Sequence, residues 1–574
     1  MVNKIISKGK EIFVSPQTGV LSAASVIMLM IIASRFLGLV RQRVLAHFFA
    51  PSELSLFFAA FRLPDLVFEV LVFGTFSSAF IPVFTKTLKK GEGLAWSVAA
   101  SVVNLGLIIF VALSLLISFS ASHLYSFFAP GFTGPDRETI VELTRVLFAA
   151  QGFFVVSYVL TGVLESLRRF LVPALAPLFY NLGIIFGTLF LSPSMGLLGP
   201  SLGVFIGAVA HFLIQLPLAM KLGFRFAPVI KITDEVKKIA RLALPRIIEV
   251  SFLQVSKTAE LFFASLITTA SYTYYTFGNS LQLLPVALFG TAISKAALPT
   301  LSREAEDLQK FKKTLTSAVN QIVFLVLPFA TLLIVLRIPL VRLVYGTDIF
   351  SWDATVQTGW VVSTFAAGIV FQATASLLAR AFYALHDTKT PVVISVISIL
   401  LTISLDYVFI RALGLPVWGL AAAFSIGVAL QSIGYFYFLG KKLEGFKLRS
   451  VLIPVLKVVL ACLGSGAFMY ILLKVFDRSV WVKRLSFLGR IEATKVIPFE
   501  KFVLDTRYTI NLLLLTLVVS LLGALVYLGI LVLVRSNEVF TFLNLAKRII
   551  IKRKISPIPQ KEEESLALTP KEQL

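Results

Sequence analysis

The stretch LLLLTLVVSLLGALVYLGILVLV, residues Leu512–Val534, contains no charged residue and no proline over twenty-three positions. About 20 consecutive apolar residues are enough for a helix to cross the hydrocarbon core of a bilayer. Similar runs recur along the chain, for example Leu105–Phe119 and Ile394–Phe409. The 574 residues are 57% hydrophobic and 14% charged, whereas a soluble domain is about a quarter charged. The sequence therefore predicts an all-α polytopic membrane protein, because lipid cannot hydrogen-bond an exposed backbone and spans must be helices or closed barrels.

The apolar runs predict fourteen membrane-spanning helices, the first of which we expect to remain in place rather than to be cleaved. Their approximate limits are 19–45, 54–84, 95–128, 139–166, 173–192, 198–220, 242–267, 272–299, 314–345, 356–384, 391–410, 416–439, 450–474 and 508–535.

Basic residues alternate between the loops that join these spans. They are concentrated before the first span and in the even-numbered loops. The segment before the first span carries Lys4, Lys8 and Lys10, the second loop carries Lys86, Lys89 and Lys90, and the fourth carries Arg168 and Arg169. The sixth loop carries six basic residues from Lys221 to Arg241, the eighth carries Arg303, Lys310, Lys312 and Lys313, and the twelfth carries Lys441, Lys442, Lys447 and Arg449. Arg137 and Arg411 are the exceptions in the odd-numbered loops up to the eleventh. Because Lys and Arg favour the cytoplasmic side, the pattern predicts cytoplasmic even loops and cytoplasmic termini.

The net charge of +23 would suggest a nucleic-acid partner in a soluble protein, but here it is explained by membrane topology, and we expect no nucleic acid. The single cysteine, Cys462, excludes an internal disulfide, and four histidines without ligand spacing give no zinc motif.

The pattern predicts two lobes of six helices and a further pair of helices. We expect an N-terminal segment 1–18, an N-lobe 19–220, a cytoplasmic linker 221–241, a C-lobe 242–440, a helix pair within 441–535 that includes an external loop 475–507, and a polar tail 536–574. The two lobes are indicated by a weak internal echo between Leu164–Pro173 and Phe382–Pro391, six spans apart. Transporters are often built from such repeats, with the substrate site between the halves.

Ionisable residues inside spans are the best pointers to function, because each costs several kcal/mol unless it faces a cavity or a partner. Arg62, Asp65 and Glu69 share one face of the second span at i,i+3 and i,i+4 spacing. Snorkelling fits Arg35 less well because it lies deeper in its span, and it fits Asp406 less well because its side chain is short. Arginines suit a phosphate or carboxylate, while the acids of the second half suit a proton or Na⁺.

Enzymatic functions are not supported by the sequence, which lacks GxSxG, P-loop, HExxH and Asp-rich motifs. We therefore expect a transporter without a tightly bound cofactor. A cationic drug exporter would not carry arginines in its cavity, and a non-transporting scaffold would not need buried charges such as Arg35 and Asp406.

An ordered set of motifs resembles the MurJ/MviN family over roughly residues 20 to 440. The motifs are Ser34–Arg41 (SRFLGLVR), Phe61–Asp65 (FRLPD), Gly74–Pro82 (GTFSSAFIP), Ala129–Phe132 (APGF), Arg169–Asn181 (RFLVPALAPLFYN), Leu284–Gly290 (LPVALFG), Leu298–Arg303 (LPTLSR) and Arg380–Pro391 (RAFYALHDTKTP). The resemblance implies a fold similar to the exporters of the MATE type, with two six-helix lobes and two further helices that form a lipid groove. It implies a lipid II flippase of the bacterial plasma membrane that works by alternating access, with membrane potential and Na⁺ involved.

The resemblance also suggests site residues. Arg35 and Arg41 match cavity arginines of the family's first helix, and Glu260, Thr402 and Asp406 match positions associated with Na⁺ in some members. Phe68 and Ser280 stand where the family often has arginines, and Gln42 replaces an acid. We predict substrate binding by Ser34, Arg35, Arg41, Arg62 and Ser280, with Arg62 or Arg43 compensating for the missing arginines.

The expected partners are lipid II or a related undecaprenyl-diphosphate lipid, together with membrane lipids, and the protein is expected to be a monomer. The alternative is an exporter of another polyprenyl-diphosphate-linked oligosaccharide.

Overall fold

The computed structural model of the chain describes residues 20–73, 79–445, 448–476 and 509–542. Within these ranges the helices group into fourteen successive segments, α1 to α14, followed by a short helical stretch at residues 537–542. The prediction of an all-helical membrane fold is confirmed. The external loop and most of the polar tail predicted above lie outside the described residues, as does the N-terminal segment.

The segments have the following bounds. They are α1 (Val20–Phe48), α2 (Pro51–Ala60, Arg62–Phe68, Glu69–Phe73 and Ile81–Lys90), α3 (Glu92–Phe128), α4 (Pro135–Ser166), α5 (Leu171–Met195), α6 (Leu198–Lys221), α7 (Asp234–Ser265), α8 (Ser271–Arg303), α9 (Leu308–Val335 and Arg337–Tyr345), α10 (Trp352–Ala384), α11 (Lys389–Ala412), α12 (Trp418–Lys442), α13 (Leu448–Phe476) and α14 (Thr509–Leu533).

Eleven of these segments are long and apolar enough to cross a membrane by composition, within the part of the chain that the structure describes. The other three are α1, α2 and α7, of which α1 and α7 carry several charged residues and α2 is divided into shorter helices. The count of fourteen spans therefore stays a prediction. Helix α7 begins at Asp234, inside the predicted linker, because Thr233 caps it by accepting a hydrogen bond from the Val236 amide.

The internal repeat between Leu164–Pro173 and Phe382–Pro391 is visible in the backbone conformation. Arg168 and His386 both have φ near 58°, and each follows a helix whose last turn closes in the same way. The amide of Arg169 donates to Leu164, and the amide of Asp387 donates to Phe382. These are Schellman-type C-caps, in which a left-handed residue ends the helix.

Single π-helical turns give a second sign of the repeat. They occur in α2 at Glu69–Phe73 and in α8 at Val286–Thr291, and again in α5 at Gly187–Leu191 and in α11 at Val408–Ala412. Each pair is six segments apart, so the second and fifth helices of both halves are interrupted. Such turns are frequent at functional sites.

Each half packs as a compact lobe. In the N-lobe, α4 packs against α3 and α6, and α6 packs against α5. Helices α5 and α6 approach through glycines at four-residue spacing, and a Cβ on Gly183 would lie 2.4 Å from the Cα of Gly207. Small residues of this kind let helix backbones approach closely in membranes. In the C-lobe, α10 packs against α8, α9 and α12, and the α13–α14 pair packs on α9.

Helix direction alternates, so the loops lie at two ends of the bundle. We call the end with the even-numbered loops the basic end and the other the neutral end. At the basic end Lys90 pairs with Glu235 at 3.1 Å, and Lys442 pairs with Asp387 at 2.8 Å. Burial alone raises the pKa of Asp387, but hydrogen bonds from Lys442 and Thr390 outweigh it and lower the pKa to about 2.

Candidate functional site

The two lobes are joined at the neutral end by a hydrogen-bonded triad of α1, α8 and α9, which we call the neutral-end closure. The Gln42 amide Nε2 donates to the Ser280 hydroxyl at 2.8 Å. The buried Tyr345 hydroxyl donates to Gln42 Oε1 at 2.9 Å and lies 3.1 Å from the Phe277 carbonyl. Ser280 was predicted to bind substrate, and in this conformation its hydroxyl is part of the closure.

Further hydrogen bonds cross between the lobes at the same end. The Arg43 guanidinium donates to the carbonyl oxygen of Leu343 at 2.6 Å. The Ser55 and Thr273 hydroxyls lie 2.9 Å apart and are buried. Arg43 was proposed to compensate for a missing cavity arginine, but in this conformation its charge is used to cap the end of α9.

The predicted residues Ser34 and Arg35 lie on α1 one helical turn or more before the closure. Arg35 is exposed, and Ser34 is half-buried with its hydroxyl 3.5 Å from the Asn181 amide of α5. Helix α1 therefore rests on α5 through Ser34 and leaves the Arg35 guanidinium accessible.

Arg41 lies nearer the closure and is half-buried. Its charge interacts with the hydroxyls of Tyr180 in the N-lobe and Tyr345 in the C-lobe. Its Nε is buried and finds no hydrogen-bond partner among the described residues. A buried donor without a partner is unusual, and it is available to an anionic ligand.

The third predicted arginine is held at the centre of the lobe interface. Arg62 is 5% exposed, and its Nη2 donates to Gln254 Oε1 on α7. Gln254 in turn donates to Glu69, which also pairs with Lys257 at 2.9 Å. We call Arg62, Glu69, Gln254 and Lys257 the central network. Arg62 can reach a substrate only after it releases Gln254.

The two acids of the predicted cation site come together in the C-lobe. Glu260 of α7 and Asp406 of α11 are near enough for their charges to interact, and the Tyr275 hydroxyl lies close to both acids. Asp406 is 1% exposed, and its Oδ1 has no hydrogen-bond partner in the described ranges. A buried carboxylate oxygen of this kind fits a hard cation, which prefers oxygen ligands.

Thr402 lies one turn before Asp406 on the same face of α11 and is buried. Its hydroxyl donates to the Ser398 carbonyl at 2.9 Å and sits against Gly427 of α12, where an added Cβ would lie 2.0 Å away. The hydroxyl proton is therefore engaged in a hydrogen bond within α11, and the oxygen keeps a lone pair with which it can accept.

Phe68 occupies an aromatic cluster of the N-lobe. Its ring lies 5.9 Å from Phe154 and 5.3 Å from Tyr158. At this position, where the family often has an arginine, the side chain therefore packs against other aromatic rings.

Sequence reasoning did not connect Gln42 with Ser280 or Gln254 with Arg62. One feature of the sequence could have indicated the contact between α7 and α2. Gln254 and Lys257 lie at i,i+3 spacing in α7, which directs both side chains towards α2.

The chain matches one family model, described as lipid II flippase MurJ, over residues 20–489. A probable lipid II flippase MurJ of Haemophilus influenzae is 28% identical over 80% of this chain and 94% of the relative. A lipid II flippase MurJ of Burkholderia cenocepacia is 27% identical over 71% of this chain and 81% of the relative.

Two solved structures are similar in fold. A lipid II flippase MurJ in an inward closed conformation has a TM-score of 0.70 and 22% identity, covering 88% of this chain and 99% of that chain. An inward-facing multidrug resistance transporter of the MATE family has a TM-score of 0.59 and 15% identity, covering 72% and 94%. These similarities confirm the MATE-like architecture. Because the family model spans most of the chain, the protein is a multi-pass bacterial membrane transporter that belongs to the MurJ family.

Proposed function

We propose that the protein flips lipid II from the cytoplasmic to the outer leaflet of the bacterial plasma membrane by alternating access. The match of residues 20–489 to the family of lipid II flippases is the observation that carries this proposal. The hydrogen bonds of the neutral-end closure support it, because an alternating-access carrier needs contacts between its lobes that can open and re-form.

The basic end faces the cytoplasm in this proposal, and both termini lie on that side. Lys90, Lys442 and the other basic residues of the even-numbered loops support this orientation through the positive-inside rule. In this proposal the neutral-end closure seals the external side in the conformation described here. The protein acts as a monomer.

Arg35 and Arg41 bind the diphosphate of the substrate, with Ser34 beside them. Arg35 is exposed, and Arg41 has a buried donor that is unpartnered in the described residues, so both can donate charge-assisted hydrogen bonds. Arg62 and Ser280 add donors once the central network and the neutral-end closure have opened.

A cation bound by Glu260, Thr402 and Asp406 couples transport to the ion gradient or the membrane potential. The carboxylate oxygen of Asp406 that lacks a partner in the described ranges supports Na⁺ at this site. The acids lie in the C-lobe and the arginines in the N-lobe, so the cation and the anionic substrate do not compete for ligands.

Complementation tests the function directly. The chain should restore growth to a bacterium depleted of its own flippase, and Arg35→Ala and Arg41→Ala should not. Arg145→Ala is the matched control, because Arg145 is an exposed arginine of α4 in the same lobe. Wild-type protein that is well expressed in the membrane and fails to restore growth would contradict the proposal.

A second candidate function, export of another polyprenyl-diphosphate-linked oligosaccharide, is favoured by one observation. Phe68 and Ser280 are occupied by packing and by the closure rather than offering cationic groups. Native mass spectrometry with lipid II and with an unrelated undecaprenyl-diphosphate saccharide separates the two functions. Preferential lipid II binding that Arg35→Ala removes supports the first, and equal binding of both lipids supports the second.

A further inference from the structure

The N-lobe contains a cavity, lined by polar and apolar side chains, whose residues Asp65 and Gln151 have no role in the proposed function. It has a volume of about 210 Å³ and lies between α2, α4, α5 and α6. Its polar lining consists of Asp65, Glu69, Gln151, Tyr158, Tyr180 and His211. The cavity is large enough for water or an ion, which it can hold only through polar partners such as these.

Gln151 gives the cavity an acceptor that no described residue satisfies. The side chain is 5% exposed, and its Nε2 donates to Asp65 Oδ1 at 2.8 Å. With the amide so oriented, Oε1 is buried and has no hydrogen-bond partner among the residues that the structure describes. A carboxylate and an amide oxygen therefore converge on one cavity, and an unsatisfied buried acceptor calls for a partner.

One carboxylate of the cavity, that of Asp65, has no direct counter-ion among the residues that the structure describes. Glu69 is paired with Lys257 and Gln254 across the lobe interface, and Arg62 is turned to Gln254. Asp65 interacts with Arg62 and Lys257 only through space, and it makes no ion pair within the described ranges. Its hydrogen-bond partner is the neutral amide of Gln151.

The remaining polar groups of the cavity wall are neutral or have partners. His211 is buried, and its Nδ1 lies 2.6 Å from the Ser157 hydroxyl. Tyr180 lies close to the charges of Asp65 and Arg41. Phenolic, amide and carboxylate oxygens thus surround the cavity, which is the ligand chemistry that hard monovalent and divalent cations select.

We infer that this cavity is a cation site of the N-lobe, which binds Na⁺ through the Asp65 carboxylate and the Gln151 amide oxygen. It is separate from the acids of the C-lobe and goes beyond the proposed function. One positive charge neutralises Asp65, and Gln151 Oε1 becomes a ligand. A monovalent ion fits better than a divalent one, because a single carboxylate is left unpaired and the charges of Arg62 and Lys257 are close.

The site is connected to the contact between the lobes through Glu69. This residue lines the cavity and is also held by Lys257 of α7. A cation in the cavity attracts the same carboxylate and repels the Lys257 ammonium, so the two compete. Occupancy therefore weakens the central network, and removal of the Lys257 charge strengthens cation binding.

Equilibrium binding of ²²Na⁺ to the purified full-length protein, measured by scintillation proximity at constant ionic strength with choline, tests the inference. The background is the Glu260→Gln/Asp406→Asn double variant, which removes the acids of the C-lobe. Saturable binding should persist there, be lost in Asp65→Asn, become about 10–100-fold weaker in Gln151→Met, and become tighter in Lys257→Met.

Gln282→Met is the matched control. Gln282 is a buried glutamine of the C-lobe whose Nε2 also donates one hydrogen bond and whose Oε1 is likewise unpartnered within the described residues, but no carboxylate accompanies it. It should leave binding unchanged. If Asp65→Asn does not fold, Gln151→Met and Lys257→Met still test the site.

Two outcomes would overturn the inference. One is the absence of saturable Na⁺ binding in the double variant, which would assign the cavity to water. The other is binding that Asp65→Asn and Gln151→Met leave intact. Because the experiment needs neither lipid II nor transport, its failure would leave the proposed flipping untouched.

Discussion

Replacement of Tyr345 by phenylalanine should favour opening of the neutral-end closure. The Tyr345 hydroxyl is fully buried and donates to Gln42 Oε1 at 2.9 Å, so its removal leaves that acceptor without its donor. Leaving a buried polar group unsatisfied costs about 1–3 kcal/mol. The open state loses nothing comparable, because water can reach Gln42 there. The ratio of open to closed protein should therefore rise by about 5–150-fold.

Double electron–electron resonance between the lobes measures this ratio. His123 and Thr269 are exposed at the neutral end of the N-lobe and of the C-lobe, and each accepts a spin label after replacement by cysteine. The native cysteine, Cys462, is replaced by alanine in all variants. In lipid nanodiscs, Tyr345→Phe should increase the fraction of long distances at the expense of the short ones.

Tyr435→Phe is the control, because Tyr435 is also a buried tyrosine. Its hydroxyl lies 3.1 Å from the Pro391 carbonyl, and both residues are in the C-lobe. It should leave the distance distribution unchanged. An unchanged distribution in Tyr345→Phe as well would refute the role of this hydrogen bond in holding the lobes together.

Three further predictions concern stability and closure. Gly203→Ala places a Cβ 2.7 Å from a backbone oxygen of α5 and should cost about 1–3 kcal/mol, so an unchanged melting temperature in detergent would contradict the packing described. Asp387→Asn should cost about 0.2–1 kcal/mol near pH 7 through loss of the Lys442 pair. Because the pKa of Asp387 is lowered from 3.8 to about 2, its contribution is present above pH 3.8 and is lost as the pH falls through about 2, so the stability gap to wild type should close over that range. Arg43→Met removes a charged donor from the Leu343 carbonyl and should shift the spin-label distances in the same direction as Tyr345→Phe, whereas a shift towards closure would count against the assignment.

The positions of the helices could be predicted because membrane insertion depends on local apolarity. Each span taken from the sequence overlaps one of the helices α1 to α14, although fourteen membrane spans stay a prediction. The repeat around Arg168 and His386 was visible in the sequence as a repeated polar turn. The start of α7 was missed, since residues 234–241 are helical but polar and belong to the basic end. The motifs of α1, α2, α5, α8 and α10 were enough to indicate the family.

The site was only partly predictable. The sequence identified Arg35, Arg41 and Asp406 as charges that require an explanation, because a charge in an apolar run is conspicuous by itself. It also indicated Arg62 and Ser280, but as independent binding groups, whereas the structure places Arg62 in the central network and Ser280 in the neutral-end closure.

The sequence by itself determined that this chain is a helical membrane protein, how its helices follow one another, and where its charges lie along them. Only the tertiary structure decided which of those groups meet. Gln42 is 238 residues from Ser280 and 303 residues from Tyr345, and Gln151 is 86 residues from Asp65. The physical reason is that most of these helices are apolar around their whole circumference, so their sequence does not fix which face turns inward. That rotation is set by packing against neighbouring helices, and the packing places the polar side chains in contact.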